Sequence, residues 1–237
     1  MCGRFVSVAP PDEVARYFDA EPPTDVALGP RYNVAPTDDV YVVLSEGGVR
    51  RVAPHHWGLV PFWAKGPAVG NKMINARSEG LADKGAFKHA FARRRCIVPA
   101  DGFYEWQAVA GQKAKQPYFI HRADGELLGF AGLWEEWRQP GNDGSPRLRS
   151  ATILTTTANA TVEPLHDRMP VILGRSDWAG WLDPTDTDLE ALGRLLVPAP
   201  RQLLTMHPVS TDVGNVRNDS PHLVDPVEVT TAETLLG

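Results

Sequence analysis

The sequence predicts an α+β fold in a single domain whose sheet is largely antiparallel. Three observations point there: short strand-like runs outnumber helical ones, turn signals separate most of those runs, and strands never alternate with long helices as a parallel doubly wound sheet would require. Taken in chain order, helical spacing first appears at Val14, Tyr17 and Phe18, after the start signal Pro11-Asp12. Val40 to Leu44 and Val49 to Val52 read as strands on either side of Ser45-Glu46-Gly47-Gly48, a hairpin signal. Phe87, Ala90 and Phe91 mark a second helix. Strand runs follow at Cys96 to Val98, Phe103 to Trp106, Tyr118 to His121 and Leu127 to Trp134, with Ala123-Asp124-Gly125 predicted as a second hairpin turn between the last two. The short Pro/Gly-rich loop Gln139 to Pro146 leads to Ala151 to Thr156, and Met169 to Leu173 is the last strand run. Trp178 with Trp181, and Leu189 with Leu192 and Leu196, mark the remaining helices. The expected domain covers 1-226, with a frayed tail over 227-237.

Composition narrows the function classes. At 43% hydrophobic and 22% charged residues, the 237-residue chain falls among soluble globular proteins and outside disordered or fibrous ones. No apolar run approaches the ~18 residues needed to span a bilayer, and no basic-then-apolar leader opens the chain, so we expect an intracellular, cytoplasmic protein with no membrane partner. Cys2 and Cys96 read as separate thiols, because a lone bridge is an unusual framework. Cys96 reads as a small buried hydrophobe. A net charge of -5 excludes a general nucleic-acid coat, so any nucleic-acid site must be local. Arg4, Arg77, the Arg93-Arg94-Arg95 triplet and Arg168 are the candidates for it. No Gly-rich phosphate loop and no compact metal-ligand spacing is present, which predicts neither cofactor nor metal.

Cys2 is the most informative residue. Methionine is commonly trimmed when the second side chain is small, and removal of Met1 would place an α-amine and a thiol on neighbouring atoms of one residue. The unperturbed amine titrates near ~7.7–8.0 and the thiol near ~8.5, so both nucleophiles are expected to be available at neutral pH. Such a 1,2-aminothiol condenses with an aldehyde to an imine and closes to a five-membered thiazolidine. Position two alone does not single the residue out.

The surrounding motifs do. Met1-Cys2-Gly3-Arg4-Phe5, Arg31-Tyr32-Asn33-Val34-Ala35-Pro36-Thr37, Trp57-Gly58-Leu59-Val60-Pro61-Phe62-Trp63 and Asn75-Ala76-Arg77-Ser78-Glu79 occur in order. Arg94 to Trp106, Ala131-Gly132-Leu133-Trp134-Glu135, Leu154-Thr155-Thr156, His166-Asp167-Arg168-Met169-Pro170, His207-Pro208-Val209-Ser210 and Gly214-Asn215-Val216-Arg217-Asn218 complete the set. Together they cover nearly the whole chain and resemble the SRAP family, named for SOS response-associated peptidase. The resemblance implies curved, mostly antiparallel sheets closing a barrel-like core, and a positive groove for single-stranded DNA leading to Cys2. It also implies covalent capture of abasic sites as a thiazolidine, strand cutting through the imine by β-elimination, and release of Met1 by the protein itself.

By the same resemblance, Cys2 matches the nucleophile and Asn75, Glu105 and His166 match the polar residues around it. Glu105 also stands out unaided, because a carboxylate in the apolar run Gly102 to Trp106 is costly without a partner or a task. Proton transfer during opening of the sugar ring suits Glu105, and positioning of amine or sugar suits Asn75. His166, with an ordinary pKa of ~6.5, suits exchange of a proton with the sugar hydroxyl. From sequence context alone, Asn75 reads equally well as a turn residue, and His166 as a surface residue. Arg4, Arg77 and Arg168 are expected at phosphates, and Trp63 and Pro36 at the bases beside the lesion. Trp57, Trp106, Trp134, Trp178 and Trp181 are assigned to the core. The partner expected is single-stranded DNA containing abasic sites, met by a monomer. A thiol peptidase using Cys2, or a non-catalytic reader of modified bases, are the competing readings.

Overall fold

Twelve strands and four short helices make up the fold in a computed structural model that describes residues 2–24, 27–109, 114–142 and 144–229. In chain order they are β1 (Phe5–Ser7), α1 (Pro11–Phe18), β2 (Arg31–Val34), β3 (Asp39–Glu46), β4 (Val49–Trp57), β5 (Asn75–Arg77), α2 (Lys88–Arg93), β6 (Arg95–Ala100) and β7 (Gly102–Gln107). They continue with β8 (Gln116–Arg122), β9 (Leu128–Trp137), β10 (Leu148–Thr157), β11 (Arg168–Pro170), α3 (Trp178–Leu182), α4 (Leu189–Arg194) and β12 (Leu204–Pro208). No helix among the described residues is long and apolar enough to cross a membrane.

Two sheets divide the strands. An all-antiparallel sheet runs β12-β8-β7-β1-β2, and the second runs β11-β10-β4-β3-β6-β9 with β5 beside β10. Because β9 also pairs β10, the second sheet returns on itself as a ring. The ring differs from the barrel-like core expected. Its β3–β6 side is joined at the single register pair Val43↔Ile97, and β10 runs parallel to β4 and β5.

The pattern of β3 shows why this sheet reads as a continuous apolar run. Val40, Val42 and Leu44 face one cluster of buried side chains, while Tyr41 and Val43 face another, so both faces of the strand are covered. The β3–β4 hairpin closes on Gly47 and Gly48 at φ 61° and 81°, a two-residue turn that needs left-handed backbone at both positions. Helices α1 and α3 cover one side of the ring through Phe18 and Trp178, whose rings lie 4.6 Å apart, and Trp181 Nε1 donates to Cys96 O at 2.8 Å.

Two expectations are overturned here. Ala123-Asp124-Gly125 turns the chain, but it does not close a hairpin. Both edges of β8 are already occupied by β7 and β12, so the turn passes the chain from one sheet to the other. The Arg93-Arg94-Arg95 triplet is not a basic patch. Arg95 is buried and gives its guanidinium hydrogens to the carbonyls of Trp181, Phe91, Ala92 and Asp183, and Arg94 is ion-paired to the buried Glu135. Only Arg93 of the three is exposed. At the expected domain end, Val227 N–H donates to Pro208 O at 3.0 Å, so the chain is still tied to β12 at that residue. The rest of the expected tail from residue 230, like Met1, lies outside the described residues.

Candidate active site

Strand register brings Cys2 and Glu105 together. Phe5 pairs with Phe103 across β1 and β7, and Tyr104 N–H donates to Arg4 O at 3.0 Å, so continuing the antiparallel register sets Glu105 across from Gly3, next to Cys2. The alternation along β7 puts Glu105 on the face that carries Phe103, the face lined by Phe5 and Cys2. Cys2 is fully buried there, and Glu105 is 3% exposed. β5 adds the third residue. Trp57 Nε1 donates to Ile74 O at 2.9 Å and fixes the approach to Asn75, whose Nδ2 donates to Cys2 O at 2.8 Å. The amide's Oδ1 is buried without a partner among the described residues, so the carboxamide holds Cys2 by one hand and presents an acceptor with the other.

The electrostatics differ from the sequence expectation at one point. Burial pushes the Cys2 thiol far above its ordinary range, and the neighbouring Glu105 charge pushes the same way, so the sulfur is a thiol and not a thiolate at neutral pH. Burial also raises the Glu105 carboxyl from 4.5. Asp167 and Lys115 act on the charge of both Glu105 and His166, which puts the histidine within electrostatic reach of the carboxyl. Burial lowers the His166 imidazole from 6.5. Its Nδ1 lies 2.9 Å from Arg168 N–H and 2.8 Å from Asp167 Oδ1. One nitrogen cannot accept from the amide while donating to the carboxylate. The Arg168 N–H can only donate, which favours the first and a neutral ring with its proton on Nε2.

Cys2, Asn75 and Glu105 are thus drawn together from three separate segments, with His166 within electrostatic reach of Glu105 through the charges they share. Lys115, whose charge acts on both Glu105 and His166, is a neighbour that sequence reasoning missed. It lies on the β7–β8 connection with no motif around it, and only the pairing of Gln107 with Gln116 returns it toward β7.

Around this centre the other expected residues have unequal exposure. Arg77 and Trp63 face solvent, Trp63 at 54% exposed, and Pro36 is half-buried. Thr37 beside Pro36 has φ 79°, a left-handed conformation uncommon for a β-branched residue. Thr37 N–H donates to Trp57 O, and Asp38 Oδ2 accepts from Ala35 N–H and Arg31, so this bend is held from three sides. Arg4 is turned inward: Nη1 donates to Asn33 Oδ1 and to Val213 O, both at 2.8 Å. The Asn33 amide in turn donates to the carbonyls of Val213, Asn215 and Asn218, knotting the C-terminal motif to β1 and β2. Arg168 is buried, with a fork to both Glu79 oxygens at 2.6 and 2.9 Å and a bond to Thr155 O at 2.5 Å. That pairing holds the exposed Glu79 carboxyl down to about 2. Of the tryptophans assigned to the core, Trp57, Trp178 and Trp181 are buried, while Trp106 and Trp134 are half-buried.

Comparison with known proteins identifies the family. The family model described as SOS response associated peptidase (SRAP) matches residues 1–216. The abasic site processing protein YoqW of Bacillus subtilis is 39% identical over 226 residues, covering 95% of this chain and 99% of that one. The abasic site processing protein HMCES of Gallus gallus is 36% identical over 231 residues, covering 84% of this chain and 67% of that one. Among solved structures, a protein from Bacteroides thetaiotaomicron superposes with a TM-score of 0.84 at 25% identity, over 96% of this chain and all of that one. A match that begins at the Cys2 motif and runs through every strand of both sheets leaves one assignment: the chain belongs to the SRAP family.

Proposed function

We propose that this protein processes abasic sites in single-stranded DNA by linking them covalently to Cys2 once Met1 has been removed. The observation that carries the reading is the grip of Asn75 on the Cys2 carbonyl at 2.8 Å beside the buried Glu105. A residue held by its backbone in this way keeps both its α-amine and its sulfur directed at one point. The amine attacks the aldehyde carbon of the open sugar, and loss of water gives the imine. Addition of S–H across the C=N bond then forms the S–C bond and returns a proton to nitrogen, giving the thiazolidine without any oxidant.

A protonated thiol suits this order. The amine acts first, and the sulfur adds only when Glu105 can accept its proton. Glu105, raised by burial, also donates a proton to the ring oxygen as the sugar opens. Neutral His166 exchanges the Nε2 proton with the sugar hydroxyl, which bears on reversal, and β-elimination from the imine accounts for strand cutting. Self-release of Met1 belongs to the same proposal. The thiol peptidase reading needs the sulfur alone and no free α-amine, which is what separates it from this one.

Arg4, Arg77 and Arg168 are assigned to the DNA phosphates, with Pro36 and Trp63 at the adjacent bases. Arg77 is the accessible member, whereas Arg4 and Arg168 are held inward by Asn33 and Glu79 and reach a phosphate only as those partners yield. Arg77→Ala is expected to lower the slope of log K against log salt by about 0.7 on single-stranded DNA. Fluorescence titrations between low and moderate salt would measure it, and an unchanged slope would remove Arg77 from the phosphate contacts.

The reading itself is tested by incubating protein of confirmed N-terminus with a single-stranded oligonucleotide carrying one abasic site. A denaturing gel and intact mass should show an adduct equal to protein plus DNA minus one water. Absence of any adduct from protein that begins at Cys2 would overturn the proposal.

A further inference from the structure

The loop between β4 and β5 leaves the ring at Trp57 and returns at Asn75, so both of its ends are at the candidate site. It is held from within by Leu59 N–H donating to Met73 O at 3.1 Å and by the Trp137 indole donating to Ala64 O at 2.8 Å. Despite that anchoring it exposes two adjacent large aromatics, Phe62 at 53% and Trp63 at 54%. Large apolar side chains left side by side in water on a loop anchored at several points mark a binding surface.

Phe62 is not loose. Its ring lies 5.3 Å from that of His89 on α2. His89 Nδ1 is 3.5 Å from Glu135 Oε2, and the buried Glu135 is held on its other oxygen by Arg94, which lies over the Trp134 ring at 5.3 Å. The aromatic step is thus supported by a chain of contacts reaching the interior. Lys65, Lys88 and Arg93 are exposed on the same two segments, and none has a carboxylate partner within salt-bridge distance among the described residues. Aromatic rings flanked by unpaired cations complement a strand of unpaired bases on a phosphate backbone.

We propose that Phe62, seated on the ring of His89, is a second base-stacking position beside Trp63, fitted to an unpaired base of the single-stranded DNA that flanks the lesion. The proposal rests on the functional reading above. It makes the protein favour lesions with unpaired nucleotides on the side reached by this loop, because a paired base has no free face to offer.

The test uses single strands carrying a tetrahydrofuran analogue of the abasic site, which has no aldehyde, with 2-aminopurine placed at each flanking position in turn. Stacking quenches its fluorescence. The wild type should quench two positions, and Phe62→Ala should restore emission at one of them while weakening binding roughly tenfold, within what one base–aromatic stack contributes. Phe62→Trp should recover both effects, and Val197→Ala, which removes an exposed apolar side chain elsewhere, should change neither. If Phe62→Ala leaves quenching and affinity unchanged while the wild type still forms the adduct on aldehydic DNA, this proposal fails alone. If the wild type neither binds the analogue nor forms the adduct, the functional reading fails with it.

Discussion

A chain carrying one uncleavable residue before Cys2 is expected to form no stable crosslink with abasic DNA. The extension leaves the thiol in place but turns the α-amine into an amide, whose nitrogen lone pair is delocalised and does not attack an aldehyde. Cys2→Ala is expected to behave differently. It keeps a free amine and the Asn75 grip on the residue-2 carbonyl, so imine formation and some strand cutting should persist while the stable adduct is lost. The two variants separate the three readings of Cys2. A thiol peptidase needs sulfur and tolerates the extension, and a non-catalytic reader needs neither group. Intact mass of each protein after incubation with single-stranded abasic DNA is the measurement. A stable adduct on the extended chain, at the rate of the trimmed one, would end the aminothiol mechanism.

The difference between these variants depends on geometry that was only partly legible in the sequence. Apolar runs disclosed the long strands, because a strand such as β3 is covered on both faces and its centre reads as a continuous apolar stretch. They did not disclose β1, β2, β5 or β12, which have three to five residues, too few to show a period, and of which β2, β5 and β12 also carry arginine, asparagine or proline. Those short strands are the ones that build the site, since β1 brings Cys2 to β7 and β5 brings Asn75 to Cys2. The second hairpin misled for a related reason. A turn sequence specifies a reversal of the chain, and whether the two arms pair depends on edges that distant segments have already filled.

Charge was equally uneven. Glu105 stood out because an ionisable group in an apolar run must have a cause. Arg95 and Arg168 stood together among the expected nucleic-acid arginines, yet Arg95 is spent on interior carbonyls while Arg168 is buried in a fork with Glu79, a difference that sequence spacing does not show. Lys115 has no signal of its own. Asn33 was visible only as part of a motif, although its buried amide joins three loop carbonyls to Arg4.

Glu105→Gln is expected to slow crosslink formation by about 10²–10⁴-fold, the usual worth of general acid–base assistance, while making the fold more stable at neutral pH. The two effects have one origin. Burial raises the Glu105 carboxyl in the folded protein above its unfolded value of 4.5, so between those two values the folded state holds the extra proton. Stability is therefore lost as pH rises from 4.5 through the folded value, and the penalty is complete above it. Glutamine cannot ionise and escapes the penalty, while filling the same space. Urea midpoints of the two proteins should accordingly converge at pH 4 and separate, with the variant ahead, as the pH rises to 7. In single-turnover gels, the wild-type rate should exceed that of the variant most where the carboxyl can alternate between its two forms. A residue that merely supports the fold would lose stability and rate together. If Glu105→Gln is less stable than the wild type at pH 7, or crosslinks at the wild-type rate, the carboxyl is not the proton carrier and the assignment passes to His166, tested by the same gels on His166→Ala.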